Sequence, residues 1–435
     1  MTVQMQNVDP IPDLKKTTFV KVFGSSMEPL IKNGDIIFFK RNKLREIKDN
    51  DIIVAKKGPI YLTHRVVYKT NSYVITKGDA NKIPDGRIYK KQIVGKIYQI
   101  QRKGITYPLN ALYVIQNLAY LKTIEYIKAN FDQKKIDHLF IKGLPVYLFY
   151  TNQMPERKYA DCDILVQEKD FERAKKLLLS NGFRVKKKSG FLANFLAPHL
   201  MEEDFSKEEN HYPVTIDLHK RPFSYIRKLD FPNSLFPKKL IDSFSRDMFS
   251  TKRLVTIGSM KIPIPQRDYL LLFLAVHFFT HTMKMSHRLW LIKEIIKKDY
   301  QTRPAWNSFI ELVSTFKMGF MIYPAFYYIN RLYGATIPES VIKRIKPAGN
   351  LEKVYGFKSQ LVFDERVDFF RILNKFYISW IFSPQPLLRR FTLLISPSLF
   401  AVMICNLRLT NALDILVTRI VRRTRRLFSF SSATV

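Results

Sequence analysis

A serine, a histidine and two aspartates near the start of the chain are suited to nucleophilic chemistry. Ser26 directly follows a strand-like run, and His64 lies in the segment LTHRVV. A serine hydroxyl attacks a carbonyl group only when a base removes its proton, and the pKa of histidine lies near the working pH. Asp79 and Asp85, in the segment TKGDANKIPDGR, are both candidates to orient the imidazole. The residue types indicate a Ser/His/Asp site, and the spacing alone leaves ordinary turn and surface positions as the alternative.

A second group of acidic residues is suited to binding divalent cations. Asp161 and Asp163 flank Cys162 at the start of a predicted strand, and Asp217 lies in a later strand, VTIDLH. Since side chains alternate along a strand, the two flanking aspartates share one face and Cys162, by prediction a small buried residue, points to the other. Three carboxylates from neighbouring strands suit one or two Mg²⁺ ions that neutralise a triphosphate. A solvated acidic turn is the alternative, because a pair of aspartates is a weak signal by itself.

The hydrophobic pattern changes twice along the chain and so predicts three regions that would position these residues. From Thr17 to about Lys103, short apolar runs rich in β-branched residues alternate with turn sequences, which predicts an all-β region. From about Asn110, helical spacing is followed by alternating strands and helices, which is typical of an α/β domain. From Arg267 onward the pattern is mostly helical and ends in a basic tail.

Composition and charge exclude several classes of protein. The chain has 435 residues, of which 46% are hydrophobic and 14% aromatic, so it can bury sizeable cores and is not disordered as a whole. Lys and Arg outnumber Asp and Glu by 72 to 37, an excess that suits nucleic acid, nucleotides or an anionic membrane surface. Two cysteines exclude a disulfide scaffold and a cysteine-based zinc module, and favour a reducing cytoplasm. The N-terminal segment MTVQMQNVDPIPDLKK lacks the apolar stretch of a secretory signal.

Four ordered motifs, GSSMEPLIKNGDIIFF, NDIIVAKK, THRVV and TKGDANKIPDGR, resemble the catalytic core of the type I signal peptidase family. The resemblance covers the segment from Phe19 to about Ile100 and implies a serine endopeptidase domain that needs no cofactor. It implies that Ser26, which precedes a methionine, is the nucleophile. The third motif is similar to the branch of the family that places histidine where the other branch places lysine, so His64 would be the base. The resemblance also implies that Asp85 is the third member and that Asp79 helps to shape the site.

Two features depart from that family. Its members are normally tethered by an N-terminal transmembrane helix, and no such helix precedes Ser26, which implies an enzyme that acts on a cytosolic peptide or is tethered elsewhere. Gly24, two residues before the serine, offers no hydroxyl to an oxyanion, so an oxyanion hole would rely on the backbone N–H of Ser26. A β domain that has kept only a binding role is the alternative.

The segments FIKGLPVYLFY, MPERKYADCDILV and VTIDLHKRPF resemble the uncharacterised nucleotidyltransferase family of the polymerase-β-like superfamily. The resemblance covers about 136–290, including the helical segment HFFTHTMKMSHRLW. The wider superfamily has Gly-Ser at its phosphate turn, whereas leucine follows the glycine here, which weakens the expected triphosphate contact. Three histidines of the helical segment (His277, His281 and His287) lack an acid or cysteine spaced to complete a zinc site, which favours core or surface positions. The resemblance implies Mg²⁺ ligands at Asp161, Asp163 and Asp217 and contacts with a nucleoside triphosphate at Lys142, Gly143 and Arg157.

Together these patterns predict a multidomain protein with a β-rich signal-peptidase-like domain (17–105), an α/β nucleotidyltransferase-like domain (106–300) and a helical extension with a basic tail (301–435). The predicted function is a serine endopeptidase fused to a Mg²⁺-dependent nucleotidyltransferase, a pairing suited to peptide maturation. Its expected substrates are a peptide or protein and a nucleoside triphosphate. The alternative is a nucleotidyltransferase or nucleic-acid-binding protein whose β domain is a non-catalytic docking module.

The C-terminal tail leaves two interpretations open for a chain that the composition predicts to be cytoplasmic. The segment FTLLISPSLFAVMIC is 15 residues long and is broken by Pro397. A membrane-spanning helix needs about 20 residues. Basic residues follow, with apolar ones between them, which is typical of an interfacial helix on an anionic membrane. The alternative is a set of helices packed on the nucleotidyltransferase-like domain with a solvated basic end. The basic residues are Arg419, Arg422, Arg423, Arg425 and Arg426.

Overall fold

The fold is described from a computed structural model that covers most of the chain. Two features to which predictions are attached, Arg157 and the tail after residue 392, lie outside the described residues. The described residues are 18–28, 30–155, 161–185, 200–209, 212–225, 228–284, 286–334, 337–349, 354–357, 362–364 and 369–392.

The N-terminal region forms an antiparallel β-sheet. Its strands are β1 (Thr18–Lys21), β2 (Ile36–Lys40), β3 (Ile52–Lys57), β4 (Ile60–Lys69), β5 (Tyr73–Lys77), β6 (Arg87–Tyr89), β7 (Ile93–Arg102) and β8 (Ile105–Pro108). They pair in the order β1-β2-β7-β3-β4-β5-β6, and β8 pairs with β7 off this path. The chain therefore returns to the middle of the sheet with β7 after running out to its edge at β6.

Strand β3 shows why this region folds as a sheet. Ile52 and Val54 pack into one apolar core, whereas Ile53 and Ala55 lie in a second, because successive side chains of a strand point to opposite faces. All four side chains are buried. Burial on both faces explains the continuous apolar run in this part of the sequence. The predicted β-rich region is confirmed.

A mixed sheet forms the centre of the second region. Its strands are β9 (His138–Lys142), β10 (Cys162–Val166), β11 (Arg184–Val185), β12 (Glu202–Glu209) and β13 (Tyr212–His219). They pair in the order β11-β12-β13-β10-β9. Strands β10 and β13 are parallel and the other pairs are antiparallel. A separate hairpin, β14 (Arg253–Ile257) with β15 (Met260–Ile264), lies outside this sheet.

Helices surround the mixed sheet and make up the rest of the described chain. They are α1 (Ala111–Gln133), α2 (Leu144–Thr151), α3 (Phe171–Ser180), α4 (Lys238–Ser250), α5 (Arg267–Thr280), α6 (Ser286–Asp299), α7 (Arg303–Phe316), α8 (Gly319–Tyr333), α9 (Glu339–Ile345), α10 (Phe369–Ile381) and α11 (Leu387–Phe391). The predicted α/β region followed by helices is confirmed.

One apolar core joins the mixed sheet to the helices that follow it. It extends from Tyr120 in α1, through Ile164 in β10, to Ile378 in α10. This core continues across residue 300. The domain boundary at that residue stays a prediction. In the part of the chain that the structure describes, no helix is both long enough and apolar enough to cross a bilayer.

Candidate active sites

Close backbone packing fixes the turn that carries Ser26. Gly24 adopts a left-handed φ of 107°, and its N–H donates to Asn33 Oδ1 at 2.9 Å. The carbonyl of Ser26 accepts a hydrogen bond of 2.8 Å from the N–H of Ala80. A Cβ at Gly78 would lie 2.6 Å from that same carbonyl oxygen, closer than a side chain tolerates. The absence of a side chain at Gly78 therefore lets the loop after β5 lie directly against the backbone of Ser26.

A chain of three hydrogen bonds links Ser26 to the neighbouring strands β4 and β5. His64, in β4, has its Nε2 2.9 Å from Ser26 Oγ and its Nδ1 2.6 Å from Asp85 Oδ2. Thr76 Oγ1 donates to the same Asp85 oxygen at 2.7 Å. Because an ionised carboxylate only accepts, Nδ1 carries the imidazole proton, and Nε2 is left to accept the hydroxyl proton of serine. This is the geometry of a nucleophile, a base and the group that orients the base.

The two aspartates that the residue pattern left open have different partners. Asp85 contacts His64, whereas Asp79 binds Arg65, the next residue in β4. Arg65 donates from Nε to Asp79 Oδ1 at 2.7 Å and from Nη2 to Oδ2 at 2.6 Å. Its Nη1 also donates to the carbonyl of Asn50 at 2.9 Å. Such a bidentate ion pair is rigid, so Asp79 fixes the strand beside His64 without touching the imidazole.

The mixed sheet brings the three predicted metal ligands together. Asp163 and Asp217 are register partners in the parallel pair β10 and β13, and Asp161 lies directly before β10. One oxygen from each of the three carboxylates lies within 4.8 Å of the others. Cys162, between the two aspartates, is fully buried, as its position on the opposite face of the strand predicted. The parallel pairing of β10 and β13 thus places the three carboxylates together, as the spacing of the aspartates indicated.

Asp163 is held by one of its two oxygens. Its Oδ1 lies 2.8 Å from Lys142 Nζ and 2.9 Å from His219 Nε2. Its Oδ2 is buried and has no hydrogen-bond partner among the described residues. A buried, unpaired carboxylate oxygen is costly unless a cation binds it. This oxygen and those of Asp161 and Asp217 are the hard ligands that Mg²⁺ prefers, so the three aspartates fit the ion.

The carboxylates of this site do not share one ionisation state. Burial opposes ionisation of Asp163, but the ammonium of Lys142 and the hydrogen bond from His219 lower the pKa of Asp163 to about 2. Burial and the charges of Asp163 and Asp161 raise the pKa of Asp217 to about 9. Burial and the charge of Asp163 also raise the pKa of Asp161. Without a cation, therefore, the cluster keeps a proton on Asp217 at neutral pH.

Two further carboxylates extend the acidic cluster, and the sequence did not predict them. Glu202 and Asp204, in β12, form a second group with Asp217 in which the oxygens lie within 4.8 Å of one another. Lys228 pairs with both, and its Nζ lies 3.4 Å from Glu202 Oε1. On the other side, His219 Nδ1 lies 3.1 Å from Glu202 Oε2. The one available signal was the spacing of two residues in the charged run EEDFSKEE, which puts both side chains on one face of a strand.

Lys142 and Gly143, two of the three residues predicted to contact the triphosphate, lie at the edge of the cluster. Gly143, before α2, has a left-handed φ of 88°, and a Cβ there would lie 3.1 Å from the carbonyl oxygen of Asp161. The ammonium of Lys142 contacts Asp163 and also lies 3.1 Å from His277 Nε2, in α5. Burial and the positive charge of Lys142 lower the pKa of His277 well below its ordinary value, so the imidazole is a neutral acceptor. The contact of Lys142 and Gly143 with a triphosphate stays a prediction.

Two of the three histidines of the helical segment, His277 and His281, have neighbouring rings. His277 contacts Lys142, and its ring centroid lies 4.4 Å from that of the exposed His281. The side chain of His287 lies outside the described residues. His277 reaches the carboxylate site through Lys142, whereas His219 bonds directly to Asp163.

Comparisons with known proteins divide the chain at the same place as the two sheets. A family model described as Peptidase S24-like matches residues 5–98, and one described as uncharacterised nucleotidyltransferase matches residues 110–334. The structure of an antigenic nucleotidyltransferase-like protein from Paracoccidioides brasiliensis is similar over 47% of this chain and 92% of that chain, with 14% identity and a TM-score of 0.28. No curated protein matches the chain.

These matches confirm the predicted fusion of two families. The first match contains Ser26, His64 and Asp85, and the second contains the acidic cluster with Asp163 and Asp217. The second covers more than half of the 435 residues. The chain therefore belongs to the uncharacterised nucleotidyltransferase family and carries a peptidase S24-like domain in front of it.

Proposed function

We propose that this protein is a serine endopeptidase of the signal-peptidase type joined to a Mg²⁺-dependent nucleotidyltransferase. The observation that carries the first half is the hydrogen-bonded chain from Ser26 through His64 to Asp85, with distances of 2.9 Å and 2.6 Å. The observation that carries the second half is the buried Asp163 Oδ2, which has no hydrogen-bond partner in the described residues and lies beside two further carboxylates. Each half has its own test.

In the peptidase half, His64 takes the proton of Ser26 as the serine Oγ attacks the carbonyl carbon of the peptide. The carboxylate of Asp85, 2.6 Å from Nδ1, stabilises the imidazolium that forms. His64 then gives this proton to the leaving amine, and a water molecule hydrolyses the acyl-enzyme by the same steps in reverse order. The backbone N–H of Ser26 would support the oxyanion.

A fluorophosphonate probe tests the peptidase half. The serine Oγ forms a bond to phosphorus, fluoride leaves, and the hydroxyl proton passes to His64. We expect the wild-type protein to gain one adduct at Ser26, read by mass spectrometry, and to cleave a mixture of synthetic peptides. Ser26→Ala should lose both, with a rate at least about 10⁴-fold lower. The neighbouring Ser25→Ala is the matched control and should keep both. Equal cleavage by Ser26→Ala and wild type would remove the basis of the proposal.

In the nucleotidyltransferase half, Asp161, Asp163 and Asp217 would hold Mg²⁺, which supplies positive charge for the phosphates and for the acceptor oxygen. Lys142 and His219 hold Asp163 in place from the side opposite its unpaired oxygen. Asp217 faces the cluster from the neighbouring strand and would draw the proton from an acceptor hydroxyl once a cation keeps it ionised. The products would be a nucleoside monophosphate ester of the acceptor and pyrophosphate.

Isothermal titration with a nucleoside triphosphate tests this half. We expect wild type to bind it with Mg²⁺ and to bind it much more weakly without. Asp163→Asn should abolish the effect of Mg²⁺ while the N-terminal domain still reacts with the serine probe. Asp170→Asn is a matched control, because Asp170 is also a buried carboxylate but pairs with Arg173, away from the cluster. The same affinity in wild type and Asp163→Asn, with and without Mg²⁺, would contradict the proposal.

The two activities in one chain suit the maturation of a peptide that one half cleaves and the other half modifies. Incubation of cleaved peptides with a nucleoside triphosphate and Mg²⁺ should then add the mass of one nucleoside monophosphate to the product. No such mass on any peptide that the protein cleaves would mean that the nucleotidyltransferase half has a different acceptor.

A further inference from the structure

Strand β4 carries His64 and is also one of the places where the second half of the chain contacts the peptidase-like sheet. Two separate contacts reach it, one at Arg65 and one at Tyr68. The catalytic histidine of the proposed peptidase lies next to the first contact in sequence and four residues from the second. The two halves thus meet on a strand of the proposed active site.

The first contact comes from Tyr113, in the first turn of α1. Its side chain is 3% exposed, and its hydroxyl accepts a hydrogen bond from Arg65 Nη2. The guanidinium carbon of Arg65 lies 5.3 Å from the centroid of the tyrosine ring. The ring itself packs in the apolar core of the sheet, beside Ile52 and Ile97. The same nitrogen of Arg65, Nη2, therefore donates both to Asp79 and to Tyr113.

Helix α1 is anchored in the nucleotidyltransferase half at the same time. Asn117 Nδ2 donates to the carbonyl of Pro155 at 3.1 Å, and Tyr120 OH accepts from the N–H of Thr215 at 2.9 Å. Thr215 lies in β13, two residues before Asp217. Residues at positions 113, 117 and 120 follow helical spacing and share one face. The family match for the nucleotidyltransferase begins at residue 110, so this helix belongs to that half.

The second contact fixes the other end of β4. Tyr68 donates from its hydroxyl to the carbonyl of Leu332, in α8, at 3.4 Å. Its ring centroid also lies 5.3 Å from that of Phe363. The pairing of β4 with β5 shifts register between Val66 and Tyr68, so the strand bends before it reaches the helices. Both ends of the short segment after His64 are thereby tied to residues of the second half.

We propose that Tyr113 is a positioning residue of the peptidase site that the nucleotidyltransferase half supplies. It acts through Arg65, whose backbone is continuous with that of His64, and it does not touch the substrate. Neighbouring residues of a strand point to opposite faces, so a guanidinium held on one face sets the position of the imidazole on the other. The proposal rests on the proposed peptidase function. It adds that Tyr113, a residue of the nucleotidyltransferase half, positions the catalytic histidine.

The test uses the full chain and the fluorophosphonate probe, with Tyr113→Phe as the variant. Phenylalanine keeps the ring in the core and removes only the hydroxyl that accepts from Arg65. We expect the maximal rate of labelling to fall by about 10- to 100-fold, while the probe concentration for half-maximal rate and the final labelled fraction stay unchanged. A merely destabilised protein would instead reach a lower labelled fraction at the wild-type rate. Tyr98→Phe is the matched control, since Tyr98 lies in β7 of the same sheet and contacts Lys40.

A second measurement separates this proposal from the peptidase function itself. The Nδ1 proton of His64, bonded to Asp85, should give a downfield proton NMR signal that His64→Gln removes. We expect Tyr113→Phe to shift this signal and Tyr98→Phe to leave it in place. If wild type does not react with the probe, the peptidase proposal fails, and the NMR signal still decides whether Tyr113 positions His64. Labelling rates and signals that are the same in Tyr113→Phe and wild type would overturn the inference.

Discussion

Neighbouring side chains decide what each carboxylate of this protein can do. Asp163 lies beside Lys142 and His219 and keeps its charge, with a pKa of about 2. Asp217, its register partner in the next strand, is half-buried beside other carboxylates, and partial burial and their charges raise its pKa to about 9. Two aspartates in one sheet thus have opposite protonation at neutral pH. A cation that binds between them is expected to displace the proton from Asp217, because it replaces repulsion by attraction.

Removing the hydrogen bond from His219 should weaken the metal site without unfolding the sheet. His219 donates to Asp163 Oδ1 and is almost completely buried. Partners of this kind typically contribute 10- to 100-fold in metal affinity, so we expect His219→Leu to weaken Mn²⁺ or Mg²⁺ binding by about that factor. His219→Gln, which can still donate one hydrogen bond, should lose less. The measurement is titration calorimetry without nucleotide.

His138 supplies the control for that prediction. It is also a buried histidine in the same sheet, but its Nδ1 bonds to the carbonyl of Ile136 and its ring packs against Phe131 and Phe140. His138→Gln should leave metal affinity unchanged even if it lowers thermal stability. Metal affinity that falls equally in His138→Gln and His219→Leu would show that His219 has no special role.

The raised pKa of Asp217 predicts how stability depends on pH when no metal is bound. The folded protein keeps this proton up to pH of about 9, whereas an unfolded aspartate releases it near pH 4. The protonated carboxyl of Asp217 stabilises the folded state fully below pH of about 4. This stabilisation is lost as pH rises from about 4 to about 9, since over that range the folded state binds more protons than the unfolded state. Asp217→Asn carries no such proton. We expect its Tm at pH 8 to exceed that of metal-free wild type by at least about 2 °C.

Differential scanning calorimetry from pH 5 to pH 9 checks this expectation. The Tm of wild type should fall towards pH 9 relative to the Tm of Asp217→Asn, and saturating Mg²⁺ should reverse the order, because only wild type keeps all three metal ligands. Parallel curves for the two proteins without metal would mean that Asp217 is ionised in the folded state.

Among the elements, the loop after β5 shows most directly how the backbone shapes a site. Gly78→Ala would place a Cβ 2.6 Å from the carbonyl oxygen of Ser26, and a backbone atom cannot move aside as a flexible side chain can. We expect the variant to lose about 1–3 kcal/mol in unfolding free energy and most of its reactivity with the serine probe. Thermal melts and labelling rates measure the two effects.

Gly58→Ala is the matched control for the loop. Gly58 lies in the turn between β3 and β4, and a Cβ there would have no neighbour within 4 Å. Its left-handed φ of 61° gives alanine a conformational cost of about 1 kcal/mol. The labelling rate of Gly58→Ala should match wild type. An equally unreactive Gly58→Ala would show that reactivity follows overall stability and not the position of Ser26.

The sequence predicted the elements whose own residues carry the pattern and missed those that depend on partners. Strand β3 was evident because its apolar run is buried on both faces. Strand β12 was not, since Phe205 is its one fully buried apolar residue and most of its other residues are charged. Two of these charged residues, Glu202 and Asp204, lie in the acidic cluster. The hairpin of β14 and β15 was also missed. This hairpin packs against the large apolar core of the second half, and its own sequence does not show that core.

The same difference holds for the candidate sites. Ser26, His64 and Asp85 were named because ordered motifs mark them, and the structure brings them into hydrogen-bond distance. Glu202 and Asp204 lie in a charged run that looks solvated, and only the pairing of β12 with β13 places them beside Asp217. The roles of all of these residues stay predictions until they are measured.

At the scale of the whole molecule, the two halves are joined by more than the chain between them. Helix α1 contributes Tyr113 to the core of the N-terminal sheet and Tyr120 to the core of the mixed sheet. Tyr68 adds a contact with Leu332 in the helices that follow. A protein built in this way should show the two activities in one preparation, with separate residues responsible for each.

The central claim is that one chain carries two chemically independent sites, and a crossed measurement on two variants tests it most directly. Ser26→Ala and Asp163→Asn are each assayed for labelling by the fluorophosphonate probe and for Mg²⁺-dependent binding of a nucleoside triphosphate. We predict that Ser26→Ala loses labelling and keeps nucleotide binding, and that Asp163→Asn shows the reverse. If either function is missing in wild type, or survives the substitution at its own site, the claim of two active sites is contradicted.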